Sequence, residues 1–99
     1  MGRSNWRTIY VNGIDYEWFL KKNEVFSPNR KIRIRHKEHP KGQQLSLCPY
    51  SWELEIRPKT IRQTILFAIV NGWTPSQQSL PPLHIEFENG DFIVKREAT

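Results

Sequence analysis

Two Asn-Gly pairs, Asn12-Gly13 and Asn89-Gly90, constrain what this chain can fold into more than any other feature. Asn followed by Gly is the pair best able to take the positive φ angles of a type I′ turn, the two-residue connection whose twist suits antiparallel strands. Each pair therefore predicts a hairpin together with its register. Around Asn12-Gly13, Val11 faces Ile14, Ile9 faces Tyr16 and Arg7 faces Trp18 on one side of the ribbon. Tyr10 with Asp15, Thr8 with Glu17, and Trp6 with Phe19 occupy the other. The first side is the better core face, although Trp6 and Phe19 keep the mixed side partly apolar. Around Asn89-Gly90, Phe87 pairs with Phe92 and Ile85 with Val94 inward, while Glu86, Glu88 and Asp91 gather outside.

A third hairpin is expected from the segment RKIRIRHKEHPKG, residues 30 to 42. Setting Ile34 against Leu45 and Ile32 against Leu47 brings every branched aliphatic side chain to one face and leaves Glu38-His39-Pro40-Lys41 as the loop. The opposite face then shows Lys31, Arg33, Arg35 and Lys37 beside Gln44, Ser46 and Cys48, because side chains alternate along a strand. This segment holds six of the fifteen cationic side chains against Glu38 alone, an excess equal to the whole net charge of +5. Pro49 interrupts the pattern. Trp52, Leu54 and Ile56 resume a period of two, as one bulged strand or as a second one, and Glu53 and Glu55 stand where they could neutralise part of the stripe.

One helix is predicted, over residues 60 to 71 and about 18 Å long. Thr60 with Gln63 forms a capping-box pattern, and Gly72 suits the left-handed position after a helix end. Ile61, Ile65, Ala68 and Ile69 make the stripe expected on a sheet, and Trp73 is placed to fold back on the last turn. Phe67 and Val70 project from the other side, where they are either covered by the Thr74 to Pro82 loop or form part of an interface, such as self-association as a homodimer. Three hairpins and one helix predict an α+β fold, an antiparallel sheet built from hairpins with the helix on one face, within a single domain spanning residues 1 to 99.

Several function classes drop out on the same residues. The longest apolar run, Ile65 to Val70, is far shorter than the roughly 20 residues of a membrane span, so no membrane contact is expected. A single cysteine, Cys48, cannot form an internal disulfide and fits a reducing, cytoplasmic setting. Phosphate loops and dinucleotide fingerprints are missing, and the glycines belong to turns, a loop and a helix end. His36, His39 and Cys48 offer three zinc-ligand types, but Cys48 falls opposite Lys31, roughly 16 Å along the strand from His36 at about 3.3 Å per residue. No cofactor or metal is therefore expected.

What remains is the cationic stripe. Cations on alternate residues of a strand stand about 6.6 Å apart, comparable with successive phosphates of an extended nucleic acid. Lys31, Arg33, Arg35, Lys37 and Lys41 thus make a binding face for an acidic protein surface or for nucleic acid, with Trp6, Phe19, Phe67 and Val70 as further interface candidates. The leading expectation is a non-catalytic protein-interaction domain, and the alternative is sequence-independent nucleic-acid binding. A small nuclease using His36, Glu38 and His39 is the remote third reading. Cys48 as an activated thiol and His84, which has no evident partner in sequence, lend no support to an enzyme.

Overall fold

The structure, a computed structural model, describes residues 6–20, 31–49, 57–88 and 90–95. Six strands and one helix follow in the order β1 (Arg7–Val11), β2 (Ile14–Leu20), β3 (Ile32–His36), β4 (Leu45–Pro49), α1 (Pro58–Val70), β5 (Leu83–Glu88) and β6 (Asp91–Lys95). They make one α+β layer pair, a sheet in the order β1-β2-β3-β4-β5-β6 with α1 on its inner face.

The hairpins have the expected registers. Asn12 and Gly13 both take positive φ, 50° and 84°, and β1 pairs with β2 as Val11↔Ile14, Ile9↔Tyr16 and Arg7↔Trp18. β3 pairs with β4 as Ile34↔Leu45 and Ile32↔Leu47, and β5 with β6 as Phe87↔Phe92 and Ile85↔Val94. The sheet is not wholly antiparallel, however. β4 and β5 run parallel, Leu45↔Leu83 and Leu47↔Ile85. The chain between them carries α1, and a parallel neighbour needs such a crossover, because a strand that leaves by one end of the sheet must be carried back to start again.

Alternation delivers the core. Ile32, Ile34, Leu45, Leu47 and Ile85 have no exposed surface, and they meet Ile61, Ile65 and Ala68 of α1. Each such aliphatic contributes roughly 1.5–3 kcal/mol by leaving water. Tyr16 and Trp18 of β2 complete the layer, and Trp73 packs on Tyr16 with ring centroids 5.5 Å apart.

The helix departs from expectation at its start and on one face. It begins at Pro58, with Arg57 as N-cap and no side-chain cap, so Thr60 lies inside the first turn instead of capping it with Gln63. Proline suits the first helical position because its ring fixes φ and its missing N–H would have had no partner there. Thr60 and Thr64 are buried, and the Thr64 hydroxyl donates to the Thr60 carbonyl at 2.8 Å. With Thr64 inside, the buried stripe turns toward residues 60, 61, 64, 65 and 68, which leaves Ile69 42% exposed and rotates Phe67 inward against Phe92, 5.6 Å between centroids. Of the pair expected on the helix back, only Val70 remains there. The C-terminal end is as expected: Gly72 has φ 99°, its N–H donates to Ile69, and Trp73 N–H donates to Ala68.

The loop between β3 and β4 is longer than the four residues expected. Ladder pairing ends at Ile34↔Leu45, and residues 37 to 44 are held from elsewhere. Gly42 bridges to Gln78, and a Cβ on it would lie 1.8 Å from the Pro75 carbonyl oxygen. Beside it the buried Gln43 accepts from Thr74 N–H at 2.8 Å, donates to the Pro81 carbonyl at 2.9 Å, and lends its own carbonyl to the Trp73 indole at 2.9 Å. The loop is thus clasped to the segment after α1. The strand expected around Trp52, Leu54 and Ile56, with Glu53 and Glu55, lies outside the described residues, as does Asn89. Among the described residues no helix is long and apolar enough to cross a membrane.

Candidate functional site

The face of the sheet turned away from α1 carries the cationic stripe, and β2 determines its surroundings. β2 pairs with β3 as Glu17↔Arg35 and Phe19↔Arg33, with Trp18↔Ile34 on the inner side. The polar side of the first hairpin therefore borders the stripe directly. Arg35 Nε donates to Glu17 Oε1 at 3.0 Å, with both side chains mostly shielded, and the Arg35 guanidinium lies 3.8 Å from the centroid of Trp6. Trp6 in turn packs on Phe19, 5.5 Å between centroids. A delocalised guanidinium suits this position because its edge binds the carboxylate while its plane lies on the indole.

The remaining stripe residues are less engaged. Arg33 is exposed beside Phe19, and among the described residues no carboxylate pairs with it. Lys37 sends its ammonium toward Thr8 Oγ1 at 3.4 Å, while its backbone N–H donates to the Asp15 carbonyl. Lys31 is half-buried at the start of β3. Lys41 belongs to the clasped loop and not to the strand, so it stands apart from the other four. Tyr10 is 65% exposed on the same face of β1.

The acid partner of Arg35 comes from a strand that the sequence does not link to it by any short turn. Glu17 and Arg35 are brought together across the eleven residues 21 to 31 that connect β2 to β3, and only the matching of inner faces, Trp18 with Ile34, constrains that register. A second pairing was equally hidden. His84 does have a partner: its Nδ1 lies 2.6 Å from Ser46 Oγ, because the parallel β4–β5 register sets Ser46 against His84. Lys95, across from His84 on the same row, lies 3.7 Å from the buried Glu86 carboxylate of the neighbouring row.

His36 at the end of β3 and His39 in the loop meet edge to face, with ring centroids 4.6 Å apart. His36 also abuts Tyr16, and its Nδ1 accepts the Glu38 backbone N–H at 3.0 Å. That bond commits one nitrogen of His36 to shaping the turn. Among the described residues no group of three His, Cys, Asp or Glu side chains is placed to hold a metal ion. Tyr16, buried beneath, has its phenol pKa raised by desolvation. Compared with protein-family models, with curated proteins and with solved structures, the chain gives no match.

Proposed function

We propose that this chain is a non-catalytic binding module, acting in the cytoplasm, that docks the outer face of β1 to β3 on an acidic surface of a partner protein. The observation that supports this reading is the Glu17–Arg35–Trp6 array beside exposed Arg33 and Tyr10. Tyr, Trp and Arg dominate the energetics of protein interfaces, and here the array holds its side chains in place before any partner arrives, so little conformational freedom is lost on docking.

Charge ranks nucleic acid second. Lys31, Arg33, Arg35 and Lys37 share this face with Asp15 and Glu17, an excess of two positive charges. Phosphate-backbone binding draws its affinity from the number of phosphates neutralised, and an excess of two releases few counterions. The aromatic rings are also engaged with one another, and Arg35 covers a face of Trp6 that a base would need. What favours nucleic acid is that Phe19 adjoins Arg33, so aromatic and cationic groups share one surface. Self-association through the helix back ranks lower still, since Phe67 faces Phe92.

A photo-reactive residue tests the reading in cells of the native host, placed at position 10 in one variant and at position 62, exposed on α1, in another. The expected result is protein adducts from position 10, lost when Arg33→Glu is added, and few from position 62. Equal adduct yields at both positions would overturn the choice of surface. Adducts at position 10 consisting of nucleic acid would replace this reading with the second one.

A further inference from the structure

Across β3 to β6 the outer face carries a row of residues that shares only Arg33 with the docking face proposed above. Register sets Arg33 beside Ser46, Ser46 beside His84, and His84 beside Lys95. Adjacent strands lie about 4.8 Å apart, so two long cationic side chains flank two short polar ones over roughly 14 Å. Ser46 is 5% exposed and forms the floor, hydrogen-bonded to His84 Nδ1 at 2.6 Å. When Nδ1 carries the proton it donates to Ser46 Oγ, and the serine O–H is then directed to another acceptor.

We propose that this row binds the phosphate of a phosphomonoester. Arg33 offers a planar fork that matches two phosphate oxygens, Lys95 brings a second positive charge from the opposite end, and Ser46 supplies a hydroxyl donor from below. A phosphate monoester carries close to two negative charges and three strong acceptor oxygens, which two cations and a hydroxyl complement better than they complement a carboxylate. Among the described residues the Glu86 carboxylate opposes the anion. The Glu86 carboxylate holds the Lys95 ammonium at 3.7 Å, so binding must draw Lys95 away from it. Glu86 is therefore a brake on affinity, and its removal has a sign opposite to that of Arg33. The inference goes beyond the protein-contact reading and requires neither β1 nor the aromatic cluster; absence of adducts at position 10 would leave it standing.

The test is a titration of the isotope-labelled full chain, followed by backbone amide shifts, with inorganic phosphate, a phosphoserine peptide and the same peptide with glutamate in place of phosphoserine. Shifts are expected at Ser46 and His84 with either phosphate probe, and the tighter of the two identifies the source of the phosphate. Arg33→Gln is expected to weaken binding about tenfold, the loss of one charge-assisted pair. Glu86→Gln is expected to tighten it. The site is overturned if phosphate leaves Ser46 and His84 unshifted, if Arg33→Gln binds as well as the parent, if Glu86→Gln weakens binding, or if the glutamate peptide binds as tightly as the phosphoserine one.

Discussion

Replacing Gly42 by Ala tests the loop clasp with a single methyl group. The added Cβ would meet the Pro75 carbonyl oxygen at 1.8 Å, the Pro75 carbonyl carbon at 2.9 Å and the His39 carbonyl oxygen at 3.1 Å. Ordinary contact begins at 3.4 Å, so the two backbones must part by about 1.6 Å. Both atoms nearest the methyl are backbone, and no side-chain rotation relieves the clash. A separation of that size breaks the Gln43 bonds to Thr74 and Pro81 and strains the one from Trp73. With about 1–3 kcal/mol for each buried polar group left unpaired, and partial rescue by water, the loss comes to roughly 3 kcal/mol. For a 99-residue chain whose total stability is on the order of 5–15 kcal/mol, that is a large share, and it lowers Tm by about 12–24 °C. Urea and thermal denaturation of Gly42→Ala are compared with Gly90→Ala, where φ is 84° but nothing lies within 4 Å of the added methyl. The control costs only the left-handed backbone, about 1–2 kcal/mol. A Gly42→Ala protein as stable as the parent, or no less stable than Gly90→Ala, would refute the close-approach argument.

Two further outcomes follow from single sites. Burial raises the Tyr16 pKa above its ordinary 10.0, so the folded state holds the phenolic proton more tightly than the unfolded chain does. This contribution is intact below about pH 10 and is lost as pH climbs through the raised value. Urea midpoints measured from about pH 9 to pH 11 should fall more steeply for the parent than for Tyr16→Phe, and equal slopes would contradict it. Arg35→Lys keeps the charge but gives up the planar contact with Trp6 and the Nε bond to Glu17, and denaturant unfolding should show a loss of about 0.5–1.5 kcal/mol. A lysine variant of unchanged stability would show that the array contributes no order to this face.

The parts of the fold that the sequence reveals are those set by neighbours along the chain. Asn12-Gly13 and the alternation of Ile32, Ile34, Leu45 and Leu47 determine two antiparallel registers, since a one-residue slip would expose the whole apolar set. The structure departs from the sequence reading at the start of α1, on its buried face, and where distant segments decide. The capping-box pattern at Thr60 lost to Pro58, and the burial of Thr64 turned α1 enough to carry Phe67 inward and Ile69 outward. A threonine whose hydroxyl bonds back to its own helix can be buried at little cost, so polarity alone misjudged the face. The Ser46–His84 pair was invisible for a related reason. A parallel register is set by how the crossover packs, and no turn residue announces it. Glu17 reached Arg35 through strand adjacency, which hairpin rules do not supply across a long connection.

The parallel seam between β4 and β5 also bears on how the protein is made. Synthesis proceeds from the N-terminus, so the chain through residue 49 can assemble β1 to β4 as a meander of sequential neighbours while β5 has yet to leave the ribosome. During that interval the outer edge of β4 offers unpaired amides and carbonyls beside Leu45 and Leu47, an invitation to strands of other nascent chains. That edge is covered only when α1 has crossed the sheet and delivered Leu83 and Ile85 to it.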